Sequence, residues 1–151
     1  ERARGGLYAG RVTLITYVAA ATLLVVGGVE AVEELAAVRA THPDPQAGTV
    51  LAALVNGAVT WFAAAGVTSS LGQITDEYLD DRFEWRYCNA PFYVVAIATV
   101  LWGTSQFFLG RATLPFLAVT LTAGTLLGVL STLSFAVVET YRESPGEARA
   151  A

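Results

Sequence analysis

The stretch LPFLAVTLTAGTLLGVLSTLSFAVV, Leu114 to Val138, runs for 25 residues without a charge. A helix of that length is ~37 Å long at 1.5 Å per residue, enough to cross the ~30 Å hydrocarbon core of a bilayer. Lipid offers no hydrogen-bond partner to backbone groups, and the alternating pattern of a barrel strand is absent, so the stretch reads as a transmembrane helix. Pro115 falls at its start, where a missing N–H costs nothing. Within it, Gly124 and Gly128 are four residues apart, and Thr120 and Thr132 extend the same small-residue stripe. Such a stripe lets a second helix backbone approach closely.

Three further segments are similarly long and apolar, Leu7 to Val29, Ala47 to Ile74 and Pro91 to Leu109, with Arg11 near the start of the first as their one charge. Hydrophobic residues make up 54% of the chain and charged ones 15%, with a mean hydropathy of +0.53, too oily for an ordinary soluble domain of this length. The expected fold is all-α: one polytopic domain over residues 1–151, a bundle of four transmembrane helices at 7–29, 47–74, 91–109 and 114–138. The first segment is too long for a signal peptide and is read as a retained anchor. With no Met and Glu1 at its start, the sequence is expected to lack residues that precede it.

Arginine placement orients the four spans. Arg2, Arg4, Arg11, Arg82, Arg86, Arg142 and Arg149 fall on one side, Arg39 and Arg111 on the other, which by the positive-inside rule puts both termini in the cytoplasm. Tyr8, Tyr78, Trp85, Tyr87, Tyr93 and Tyr141 gather at the same face, as aromatic residues at the headgroup level do. The expected location is the inner, or plasma, membrane. All nine basic residues are arginine, a compositional hint of a GC-rich or salt-adapted prokaryote.

Between the second and third spans lies TDEYLDDRFEWRYCNAPF, Thr75 to Phe92. Advancing ~100° per residue, Asp76, Glu77, Asp80, Asp81 and Glu84 share one arc, while Arg82, Phe83, Trp85 and Arg86 take the other side. An interfacial amphipathic helix over 76–87 follows, its aromatic and arginine face along the headgroups and its acids toward water. The acidic face reads first as a solvated surface, then as a docking surface for a basic partner. A cation site ranks last, because carboxylates fanned over an arc do not converge on one ion.

The connection after the first span continues its helical stripe, with Glu30, Glu33 and Glu34 on the exposed side, so that helix is expected to overshoot the bilayer. Pro43 and Pro45 end it; Asp44 is expected to cap the second helix with Pro45 in its first turn.

Chemistry is best read by elimination. His42 is the one histidine and Cys88 the one cysteine, and neither has companions for haem, zinc or disulfide chemistry. No nucleophile–base set, phosphate-cradling loop or intramembrane acid is present in the pattern. Enzyme is the weakest class; no catalytic residue, metal or cofactor is expected. The polar content of the spans is Asn56, Thr60, Gln73 and Gln106, expected to bond across helices and fix register, with a polar pore or neutral-ligand lining as the alternative. Gly57, Gly66 and Ser70 give the second span a small-residue stripe of its own. Trp61 and Trp102 fall near mid-helix, read as core packing, with a wall for a pigment, quinone or bound lipid as the alternative.

The functional expectation is a non-catalytic integral membrane subunit packed with other membrane protein subunits or with copies of itself, in contact with the lipid bilayer and with no nucleic acid. The alternative is a small oligomeric channel or transporter for an ion or neutral solute. A pore places Asn56, Thr60 and Gln106 on a common wet axis; a scaffold bonds them within a dry bundle.

Overall fold

No proline falls between Glu1 and His42, and one helix occupies the whole interval. The computed structural model of the chain describes residues 2–79 and 88–143. Its helices are α1 (Arg2–Thr41), α2 (Ala47–Leu79), α3 (Ala90–Phe108) and α4 (Leu114–Glu143). All four are long and apolar enough to cross a membrane, and no strand is present among the described residues. The chain is therefore an all-helical, multi-pass membrane protein.

Each connection follows from local chemistry. Pro43 and Pro45 hold the residues before them away from the helical region, so α1 stops and the Thr41 hydroxyl turns back to the carbonyl of Val38 at 3.0 Å. The expected Asp44 cap is displaced. The first helical bond of α2 runs from Val50 N–H to the carbonyl of Gln46, at 3.0 Å, which makes Gln46 the capping position and leaves Pro45 before the helix. The far end of α2 also differs from expectation. Instead of a break near Ile74, the helix continues to Leu79, because no glycine or proline interrupts that run and the Thr75 hydroxyl folds back to Leu71 carbonyl at 2.8 Å. Asp76 and Glu77 thus extend α2. Asp80, Asp81, Arg82, Phe83, Glu84, Trp85, Arg86 and Tyr87, the rest of the expected interfacial helix, lie outside the described residues.

The ends of α3 are unlike each other. At its start Pro91 sits in the first turn, but Asn89 makes no side-chain cap. Its amide donates instead to the carbonyl of Ser131 on α4, at 3.0 Å. At its end Gly110 adopts φ 69° and donates to Phe107 carbonyl, while Arg111 N–H donates to Gln106 carbonyl, each at 3.0 Å. This is a Schellman stop, in which a left-handed residue satisfies the last carbonyls of the helix. Thr113 carbonyl then accepts from Leu117 N–H to open α4.

The helices run antiparallel in chain order, and each packs against its chain neighbours: α1 on α2, α2 on α3, α3 on α4. Among the described residues no other pair of helices brings its backbones together. The result is an open array with α1 and α4 at its edges. Small residues set the contacts, with Ala53, Ala58, Ala65 and Ala96 buried, and no large side chain is fully enclosed. At 19 residues α3 is ~28 Å long, close to the hydrocarbon thickness, whereas the 40 residues of α1 span ~60 Å.

Candidate functional site

The seam between α2 and α3 joins two hairpins, α1–α2 and α3–α4, and carries the polar groups singled out in the spans. Gln106 Nε2 donates to Asn56 Oδ1 across it. An unpaired amide in hydrocarbon is costly, so each side chain answers the other. Thr60, one turn from Asn56, is exposed on the surface of α2, and Gln73 is exposed nearer the other end. The structure therefore joins Asn56 to Gln106 and leaves Thr60 apart.

A second link lies at the same end of the seam. Arg111 is thrown outward by the Gly110 turn, and its Nη1 lies 2.5 Å from Oε1 of Glu34 on α1. The two atoms form an ion pair without the angle of a hydrogen bond, since that same buried Oε1 has no hydrogen-bond partner. Side chains here bridge elements whose backbones do not meet.

The small-residue stripes are internal to the described array. A Cβ at Gly57 would lie 2.6 Å from Ala31 Cα, so α1 and α2 touch backbone to backbone there. One at Gly66 would lie 2.9 Å from Val94 Cγ1, and one at Gly124 the same distance from Ala96 carbonyl, both on α3. Gly128 is looser, 4.0 Å from Ala96 Cβ. Thr132 meets the Tyr93 hydroxyl at 2.7 Å. The hydroxyls of Ser70 and Thr120 turn back to carbonyls of their own helices. Three close approaches escaped the spacing argument: Gly72 against Thr16, Gly103 against Thr120, and Gly27 against Phe62 and Trp61. A signal for the first existed, since Ala58, Ala65 and Gly72 recur every seven residues and are all buried.

The tryptophans differ in setting. Trp61 packs its Cβ against Gly27 of α1. Trp102 is 39% exposed and meets Phe116 edge to face, with centroids 5.6 Å apart. His42 is exposed, its ring against the Thr41 hydroxyl, and Cys88 is a half-buried free thiol. Among the described residues no group of three histidines, cysteines or carboxylates is placed to hold a metal ion.

Beside the Asn56–Gln106 pair the seam opens into an apolar groove of about 380 Å³, walled by Leu54, Val59, Phe62, Val94, Ile97 and Leu101 among others. A second space of about 210 Å³ continues it toward Gly48 and Phe108, sharing Val55 and Leu101. A third, of about 270 Å³, lies between α3 and α4 by Gly124 and Gly128.

Fold and seam together define a polytopic helical membrane protein, four apolar helices of membrane-crossing length packed in chain order. Residues 1–130 match the profile of the family described as a domain of unknown function, DUF373, and the chain belongs to that family. No curated protein and no solved structure matches it.

Proposed function

We propose that the chain is a non-catalytic membrane subunit that packs with further helices, from other membrane proteins or from copies of itself. The observation that carries this reading is the open array. Its edge helices, α1 and α4, each pack on a single neighbour, and both carry exposed large side chains, such as Leu14, Val18, Val25, Leu126, Leu130 and Leu133. Conduction is less well supported, because Gln106 donates to Asn56 across the seam and Thr60 lies apart from them. Native mass measurement of the gently extracted protein, with crosslinking in intact membranes, tests the reading. A particle of several chains is expected; a lone chain that crosslinks to nothing overturns it.

The finer arrangement belongs to the same proposal. Both termini face the cytoplasm, on the strength of the seven-to-two arginine asymmetry in the sequence, and the membrane is the plasma membrane. Residues 80–87, beyond the end of α2, lie along that interface, with Arg82, Phe83, Trp85 and Arg86 toward headgroups and Asp80, Asp81 and Glu84 toward water.

A further inference from the structure

We propose, taking the packed-subunit reading as given, that the side of α1 around Glu30 receives a membrane helix of a different protein, one that carries an arginine or lysine at the same depth. The carbonyl of Glu30 lies against Gly57 of α2, whose neighbour Asn56 accepts from Gln106, two residues before the end of α3. Since α3 is about as long as the hydrocarbon layer is thick, Glu30 stands ~5 Å, about one helical turn, inside the boundary where the α3–α4 turn emerges. Its carboxylate is therefore within the apolar layer.

Turning outward does little to relieve it. Cα–Cβ bonds lean toward the N-terminus of their helix, and α1 begins at the opposite boundary, so this short side chain leans inward. Around it Val25, Val29 and Val32 are exposed, which makes lipid the surrounding solvent. A charge that faces lipid is costly and calls for an opposite charge.

The chain itself supplies none. Glu30 is exposed and has no ion pair or hydrogen bond among the described residues. The cations at this end of the bundle are Arg39 and Arg111. Arg111 is held by Glu34, and Arg39 lies nine residues further along α1, ~13 Å toward water. A second copy inserted the same way brings the same two arginines at the same depths, so the missing cation comes from another protein. Glu34 shows the form it takes: one turn nearer the boundary on the same helix, the same side chain is answered by an arginine. A long basic side chain suits the task, because its stem runs along apolar surface while its head stays near the boundary. Thr60, one turn from Gly57 and also exposed, has no hydrogen bond among the described residues and offers a second acceptor. At ~100° per residue it falls on the same side of the α1–α2 contact as Glu30.

The test places the protein in phosphatidylcholine vesicles with a synthetic span of leucine and alanine that bears one arginine a turn from its end. Energy transfer from a dye on Cys88 reads the association. It should be at least tenfold tighter than with the same span carrying leucine in place of the arginine. Glu30→Gln should remove that advantage and Glu33→Gln should keep it. The melting temperature of Glu30→Gln alone should be unchanged or raised, since no contact within the chain is lost. An advantage that survives Glu30→Gln overturns the proposal, as does a lowered melting temperature of that variant. Loss of copies of this chain from the native particle on Glu30→Gln assigns the carboxylate to a second copy and overturns it too. Equal association of the two spans, with a native particle of several chains, overturns the cationic partner and leaves the packed-subunit reading standing; a lone chain that crosslinks to nothing removes that reading first. Should Glu30→Gln not fold, the two spans compared on the unaltered protein decide alone.

Discussion

A methyl group at Gly57 would lie 2.6 Å from Ala31 Cα and 2.7 Å from its nitrogen, backbone that cannot turn aside. One at Gly128 would meet only Ala96 Cβ, at 4.0 Å. Gly57→Ala should therefore push α1 off α2 and cost about 1–3 kcal/mol, the range for overpacking, read as a lowered melting temperature in detergent. Gly128→Ala should be tolerated. Equal melting temperatures for the two variants would show that backbone contact at Gly57 does not limit packing. A different strain governs Gly110, whose φ of 69° suits a residue without a Cβ. Gly110→Ala should cost about 1–2 kcal/mol through the left-handed conformation alone. Gly48→Ala, on an open helical surface, should be neutral or slightly stabilising in the same assay. Both glycines of the α4 stripe were legible from their spacing, yet spacing names a face and not the neighbour that meets it. Which one is tight depends on Ala96 and Val100 of another helix, information that no local pattern holds.

Among elements, α2 and α3 are tied by one amide pair, so that pair can be weighed. Asn56→Leu or Gln106→Leu alone leaves the other amide unpaired in an apolar seam, at a cost of about 1–3 kcal/mol. The double substitution should recover part of that loss, with a coupling of about 0.6–1.7 kcal/mol, as for other hydrogen bonds between membrane helices. Additive losses in a double-mutant cycle of melting free energies would mean that the two side chains do not act on each other. Element limits were largely readable because charge-free length and proline are strong signals in a membrane. Where they failed, at Asp44 and Ile74, the deciding facts were which carbonyl accepts the first α2 bond and the lack of any breaker before Leu79. Asn89 shows how tertiary contact overrides local position: it stands at the N-cap of α3 yet gives its amide to α4.

In the whole molecule, the ion pair of Arg111 and Glu34 links the α3–α4 turn to α1, with side chains 46% and 19% exposed. Exposure on the arginine side keeps its worth within about 1 kcal/mol, and added salt screens it. Arg111→Gln should thus lower the melting temperature slightly at low salt and by less at 1 M salt; a loss that grows with salt would rule out an ionic link. The four-span path has its own check, independent of absolute orientation. An impermeant thiol reagent applied to sealed vesicles should label Cys88 from one side, and Asp44→Cys or Ala112→Cys, in a Cys88→Ala background, from the other. Labelling of all three from a single side would break the order of spans. Fold class and crossing number were thus open to reading from composition and length. The groove was not, since its width depends on how Ala58, Ala63 and Ala98 of two helices face each other.

Sequential packing also bears on biosynthesis. From α2 onward, each helix delivered into the bilayer finds the preceding helix, against which it packs, already in place, so no partially made intermediate has to wait exposed for a distant segment. Contacts between chain neighbours close quickly, since little loop entropy opposes them. The exception is Glu34, which stays unpaired from the moment α1 emerges until the α3–α4 turn brings Arg111 to it. Chains stalled on the ribosome once α2 has left the exit tunnel should already hold α1 and α2 in protease-resistant contact, and Glu34 should gain its arginine only in chains long enough to release the α3–α4 turn.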